Sequence, residues 1–432
     1  MILPARNHSP RAGWMVPKCF VGQGNTFAIP RALVVISALL CGSLVTADAI
    51  AQQSACGTQQ TAIDYAFSSG AMWSLCLMVE ESHGLTITSA SYRAPGDSQR
   101  NVLQLAHIGQ VLLHYHDEPD PIPQLDVAHH QERQSQGSDV LSMNDNTCAG
   151  TVLDMNDHPA AVCARVRDNR TLAKYAQRPS LHSRSLELSS AFQRDTLTWT
   201  VSFTFTEDGQ VSPGLGLSGR ASRTLADSRY SQTVAAHLPP LVRATVLATW
   251  RLVFDLDTPA IDTIEQYEFP LDAADGNRRP MQVTTLTTER QLRANRETFR
   301  GWRIVDASGA GYYLDPANNG FSYTHPRMHW PGYELALTRL KPCERFAAGN
   351  ATVSLASRTE SSTAESSPVC GLSLDDFVNG ESLQGAPPVV WYGQSRVLDP
   401  HREHWPVIRN VRLTFDLLPF DWTASSPFEP VD

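Results

Sequence analysis

LTWTVSFTF, residues 197–205, alternates apolar and hydroxyl side chains without a break: Leu197, Trp199, Val201, Phe203 and Phe205 against Thr198, Thr200, Ser202 and Thr204. A period of two puts each set on its own face, the pattern of a half-buried antiparallel strand. Glu207-Asp-Gly-Gln supplies the turn that should follow it. Outward from there, similar short segments recur at 85–90 (LTITSA), 111–115 (VLLHY) and 247–256 (LATWRLVFDL). Residues 262–267 and 288–296 predict two short helices. Residues 54–70 read as polar and irregular. Residues 117–137, rich in Pro, His and Gln, and 357–367, rich in Ser, Thr and Glu, read as surface loops. No internal repeat or clean linker divides the chain, so one large antiparallel β-domain is expected.

Composition agrees. The 432 residues are 42% hydrophobic and 18% charged, which supplies a sizeable core and excludes a disordered, collagenous or coiled-coil chain. A formal net charge of −9 argues against a nucleic-acid partner. Twenty-eight Pro and 26 Gly leave no long helical pattern intact.

The amino-terminal residues carry Arg6, Arg11, Lys18 and Arg31 and no acidic side chain before Asp48. An apolar run, ALVVISALLCGSLV at 32–45, precedes the small residues of TADAIAQQ. That succession describes a secretory signal peptide over 1–51, and secretion is expected. The alternative is a signal anchor, although the run is short for a bilayer span. No second run of transmembrane length follows. Without the leader six cysteines remain, Cys56, Cys76, Cys148, Cys163, Cys343 and Cys370; an even number in an oxidising compartment suggests disulfides, with fifteen pairings open. Asn169-Arg-Thr and Asn350-Ala-Thr are glycosylation sequons.

Unaided motif reading finds little chemistry. There is no Gly-x-Ser-x-Gly, no phosphate-cradling glycine loop and no His-Glu-x-x-His. His114 and His116 share one strand face, a spacing able to chelate a metal. His129 with His130, His325 with His329, and His401 with His404 are the other clusters. Such spacing is generic, and exposed or hydrogen-bonded histidines are the favoured explanation. Asp117 and Asp120 sit in a Pro-rich turn and read as solvated. Asp255 and Asp257, at a strand end, suit a cation or, more commonly, a turn cap.

The carboxyl-terminal segment changes the reading. VVWYGQSRVLDPHREHWPVI, residues 389–408, runs on into LTFDLLP at 413–419 and Asp421. It resembles the closing segment of copper amine oxidases, matching at Pro400, Glu403, Trp405, Pro406 and Val407 and in the tail from Phe428 to Asp432. Further segments resemble that family in order: 84–92, 102–115, the Phe203-to-Gly209 strand and turn, Arg251 to Asp257, Thr288 to Val305, and 344–349. The likeness spans residues 73–432. It implies a large antiparallel β-sandwich of the catalytic-domain type, preceded by an irregular segment over 52–72 and without the small α+β domains of longer members. It also implies a Cys148–Cys163 disulfide, a homodimer, and scaffold roles for Arg251, Trp302 and Trp405.

The family oxidises primary amines to aldehyde, ammonia and peroxide. It uses copper held by three histidines, a quinone (topaquinone) made from a tyrosine, and an aspartate as general base. Counting back from Asp208 and Gly209, the cofactor tyrosine falls on Leu197, within Thr196-Leu-Thr-Trp199. Counting back from Arg251, the His-x-His pair falls on Ala244 and Val246, with Thr245 between. Counting back from Trp405, the third ligand falls on Leu398; the base falls near His129, with Asp126 three residues away. Leucine cannot become a quinone, and alanine, valine and leucine cannot ligate a metal. The resemblance therefore implies no catalytic or metal-binding set and no cofactor. The expected function is that of a secreted, non-catalytic binding protein. The alternatives are a metal-dependent oxidoreductase using relocated histidines, or a divergent amine oxidase.

Overall fold

A strand whose two faces differ in polarity must bury one of them, and the residues quoted first do so. In the computed structural model Leu197–Thr206 is a strand whose side chains alternate between buried and half-buried along its whole length. The structure describes residues 50–51, 56–80, 84–116, 125–126, 139–155, 158–173, 181–194, 196–222, 228–256, 262–272, 278–315, 333–347, 373–404, 407–424 and 427–428.

Two large antiparallel sheets face one another. The first runs in the order Ile50–Ala51, Thr61–Ala66, Met72–Glu80, Gly84–Arg93, Arg100–Tyr115, Ala244–Phe254, Pro388–Leu398, Leu335–Arg339, Arg290–Leu292. The second runs Gln282–Leu286, Thr263–Glu268, Gly301–Val305, Gly311–Asp315, Asp416–Phe420, Val211–Gly219, Leu197–Thr206, Leu181–Arg194, Val162–Ala173, Thr151–Leu153. One continuous apolar cluster joins Trp73, Tyr92, Val246 and Trp250 of the first sheet to Leu197, Trp199, Phe203 and Tyr312 of the second. Fully burying each large side chain contributes about 1.5–3 kcal/mol, so this interior dominates the stability. Trp250 illustrates the fit: it packs edge-on to Phe203 and Phe415 and donates its indole N–H to Gln394 Oε1 at 3.2 Å.

The turn expected after Phe205 is present. Thr206 N–H donates to Gln210 O at 3.0 Å, and Gly209 adopts φ +89°, where a Cβ would also meet the Tyr92 ring at 3.0 Å. Glycine is needed there on both counts. The Tyr92 and Tyr312 hydroxyls donate to the carbonyls of Glu207 (2.8 Å) and Gly209 (3.1 Å), and Trp73 Nε1 donates to Thr206 O (2.8 Å).

Three expectations need correction. Residues 262–267 are not helical: Thr263–Glu268 is a strand paired on both sides, with Gln282–Leu286 and Gly301–Val305. Residues 288–296 give the short strand Arg290–Leu292, paired with Leu335–Arg339. Segments of six to nine residues hold no helix unaided, and available strand partners decide their conformation. Nor is the stretch before residue 72 wholly irregular. Thr61–Ala66 pairs with Met72–Glu80 and buries Ile63 and Tyr65, a period-two signal partly masked by polar neighbours. Among the described residues one short α-helix, Leu374–Phe377, is opened by Asp376, whose Oδ2 accepts from both the N–H (3.0 Å) and the hydroxyl (3.1 Å) of Ser373. The loops expected at 117–137 and 357–367 lie outside the described residues, apart from Leu125–Asp126, which pairs with the Arg100–Tyr115 strand.

Candidate functional site

Ala244–Phe254 is buried on both faces along its full length. Ala244, Val246, Ala248, Trp250 and Leu252 belong to the interior cluster, so Thr245, Leu247, Thr249, Arg251 and Val253 point the other way. Ala244 lies directly opposite Leu398 on one neighbouring strand and Tyr115 on the other. Leu197 approaches from the second sheet, as the first residue of its strand, opposite Gly219, which also faces Ile408. Leu197, Ala244, Val246, Leu398 and Ile408 are all buried members of that one cluster, none more than 5% exposed.

The structure thus buries the four positions singled out in the sequence in the apolar interior, with Ala244 beside Leu398, and they present only C–H groups. A copper ion with imidazole ligands, or a quinone made in place from a tyrosine, does not fit this donor set.

The histidines lie elsewhere. His114 is opposite Thr245, so it belongs to the outer face of the first sheet, as does His116 two residues on. Their rings are 5.8 Å apart, and His116 Nε2 is 2.8 Å from the buried Thr245 hydroxyl. His401 precedes and His404 ends the short 3-10 turn Arg402–His404, with rings 5.1 Å apart and His401 N–H donating to His404 Nδ1. Among the described residues no three His, Cys, Asp or Glu side chains converge as a metal site. His129, His130, His325, His329, Asp257 and Trp405 lie outside the described residues. Asp255 is exposed and accepts from Asn101 Nδ2 at 3.2 Å.

Sequence reading missed a buried ionic group on the outer face. Arg251 is 3% exposed, and its guanidinium lies 5.5 Å from the centre of the Trp391 ring. Burial, with Arg345 nearby, lowers its pKa to about 10. Glu344 is equally buried; the loss of water raises its pKa to about 7, although Lys341 Nζ at 3.5 Å pulls the other way. Lys341 also reaches Glu381, and buried Glu289 accepts the N–H groups of Arg339 and Asn379. These partners are up to 130 residues apart, because Arg251 and Glu381 come from different strands and loops. No local spacing announces them.

The family model for the copper amine oxidase enzyme domain matches residues 68–431. This chain belongs to the copper amine oxidase family. Solved copper amine oxidase folds superpose on most of it. A copper-containing benzylamine oxidase from Hansenula polymorpha aligns at 14% identity and TM-score 0.64, covering 84% of this chain and 60% of its own. An Aspergillus nidulans amine oxidase aligns at 17% and 0.63, covering 83% and 52%. Pichia pastoris lysyl oxidase aligns at 12% and 0.61, covering 84% and 52%. The chain therefore spans between half and three fifths of the length of these structures, and identities so low establish the fold alone. No curated protein matches the sequence significantly.

Within the copper amine oxidase fold, the expected Cys148–Cys163 disulfide is present, and Cys56 is joined to Cys76. Cys343 is also disulfide-bonded. Trp302 is buried in the interior cluster, while Arg251 sits on the outer face. Asn169 is exposed and accepts from the Ser185 hydroxyl at 3.2 Å; Asn350 lies outside the described residues. No helix among the described residues is long and apolar enough to cross a membrane.

Proposed function

We propose that this chain is a secreted copper amine oxidase relative that has given up amine oxidation and works as a non-catalytic binding protein. The reading rests on the apolar residues at the four positions that counting against the family's motifs assigns to the copper ligands and the cofactor tyrosine. Leu197, Ala244, Val246 and Leu398 are buried together in one cluster. A single lost ligand would leave polar neighbours in need of partners; replacement of the whole set by aliphatic side chains lets the centre repack as core. The leader over 1–51 and the disulfides support an oxidising, extracellular compartment. Cleavage after residue 51 would remove the Ile50–Ala51 edge strand and leave an amino-terminal segment leading into a catalytic-domain-like unit, with glycans at Asn169 and Asn350. Pairing into a homodimer is the family's habit, extended here to this chain.

The test uses protein secreted from a eukaryotic host in copper-supplemented medium and assayed for hydrogen peroxide with a panel of primary amines and for bound metal. The expected result is no peroxide above the blank and copper well below one per chain. Peroxide release with stoichiometric copper would overturn the proposal. Stoichiometric metal without amine oxidation would instead favour relocated histidines. His114 and His116, sharing one face at 5.8 Å, are the observation behind that second reading.

A further inference from the structure

Trp199, Val201 and Phe203 of the Leu197–Thr206 strand point into the interior, so Thr200, Ser202 and Thr204 lie on the outer face of the second sheet. Beside Thr204 on that face stands Glu187, 5% exposed. Its Oε2 takes an ion pair from Arg165 at 2.5 Å and another from Arg167, while Arg412 reaches its Oε1 at 3.8 Å. Arg396 adds a further guanidinium, donating to Arg412 O at 3.1 Å. The other acid close by is Asp416, which accepts from the Ser212 hydroxyl at 2.5 Å. Four arginines thus meet two carboxylates, in a chain of formal net charge −9. Guanidiniums held on one carboxylate repel each other, and an added anion relieves that repulsion.

Beside Arg412 the sheet is hollow. Thr200 and Ser202 stand opposite Gly216 and Gly214, and these glycines stand opposite Arg412 and Thr414 of the next strand, Ile408–Thr414. Together they line a cavity of about 60 Å³. The floor depends on glycine: a Cβ on Gly214 would sit 2.8 Å from Ser202 Oγ and 3.2 Å from Thr414 Cγ2. Glycine weakens a strand interior and often marks a place where a ligand comes close to the backbone. One water needs about 10–15 Å³, so the space takes a tetrahedral ion or several waters. Its walls are reachable from solvent, since Arg412 is exposed and Thr200, Ser202 and Thr414 are half-buried. The Ser202 hydroxyl is given to Gly214 O at 3.3 Å, so the Arg412 N–H groups and the Thr200 hydroxyl are the donors at the rim. A forked cation beside a hydroxyl suits an anion with several oxygens better than a halide.

We propose that this hollow binds a tetrahedral oxoanion of the sulfate or phosphate class, free or as the end group of a larger ligand. Arg412 gives its N–H donors to two oxygens and Thr200 gives its hydroxyl to a third. Arg165 and Arg167, across Glu187, add positive field without touching the ion. None of these residues belongs to the four family positions, so the site stands or falls independently of lost amine oxidation.

The probes are inorganic sulfate, inorganic phosphate and methyl phosphate, each titrated into the full secreted chain by calorimetry near neutral pH and low ionic strength, with chloride as competitor. Saturable binding at one site per chain is expected, and chloride should compete at least tenfold less well. Arg412→Gln, at an exposed position, should weaken binding at least tenfold. Thr200→Val keeps the shape, removes the hydroxyl and should weaken binding several-fold. Methyl phosphate bound as tightly as the inorganic ions assigns the hollow to an ester group; a tenfold preference for the inorganic ions assigns it to the free anion. The proposal is overturned if none of the three probes binds saturably, as when the hollow holds only water. It is equally overturned if chloride competes as well as they do, or if folded Arg412→Gln or Thr200→Val binds unchanged.

Discussion

The two faces of Ala244–Phe254 are equally dry and chemically opposite. Inward, Ala244, Val246, Ala248, Trp250 and Leu252 join an apolar interior. Outward, Thr245, Thr249 and Arg251 are buried too, at 0%, 3% and 3% exposure, alongside Leu247 and Val253. Burial alone therefore does not dictate composition. The inner face is solvated by aliphatic and aromatic side chains from the second sheet. The outer face keeps polar groups where suitable groups stand beside them: His116 for Thr245, and the Glu344 carboxylate and the Trp391 ring for Arg251. Metal and quinone chemistry would need donors on the inner face, where none of the four family positions offers one.

The largest expected effect comes from cutting the inner face. Trp250→Ala removes the edge-on contacts to Phe203 and Phe415 and should cost about 3–5 kcal/mol in a denaturant titration. A cost under a third of that would mean that the two sheets are not held by this cluster.

Next is the outer face and its pH dependence. The pKa of Glu344 rises on folding from an ordinary 4.5 to about 7, so the native state holds its proton more tightly than the unfolded chain. Its contribution is complete below pH 4.5 and is lost as pH rises through 7. That loss amounts to about 3 kcal/mol. Glu344→Gln should lack that slope and be the more stable protein at pH 8, compared by urea midpoints across that window. Parallel curves for the two proteins would show that Glu344 titrates as an ordinary carboxyl.

The smallest effect sharpens the contrast. His116→Ala removes the partner of the buried Thr245 hydroxyl and should cost about 1–2 kcal/mol while leaving the protein's metal content unchanged. A loss of bound metal on that substitution would move His116 from hydrogen-bonding partner to ligand.

The sequence reached the β-architecture because its strongest strands carry their own period. Leu197–Thr206 alternates throughout, and Gly209 marks its turn. Counting against Asp208, Arg251 and Trp405 pointed to Leu197, Ala244, Val246 and Leu398, which the fold buries in the apolar interior. Thr263–Glu268 was not legible as a strand. It is mostly polar on both faces, and its conformation comes from partners on either side rather than from any pattern of its own. Glu187 was equally opaque. A lone glutamate in a strand looks like part of a solvated face, and only the approach of Arg165, Arg167 and Arg412 makes it a buried, ion-paired carboxylate. The Arg251 and Glu344 surroundings escaped for the same reason, being assembled from distant stretches.

The turn from Glu207 to Gly209 carries a kinetic consequence. Its hairpin is local and can close within about 1–10 μs. Its three clamps come from Trp73, Tyr92 and Tyr312, which are 133, 115 and 103 residues away along the chain. During synthesis Tyr312 follows Gly209 by about 5–20 s at ordinary elongation rates. Over that interval the hairpin already exists while the Gly209 carbonyl still lacks its hydroxyl donor and the second sheet its later strands. The exposed edge of a half-made sandwich is what a chaperone would have to cover.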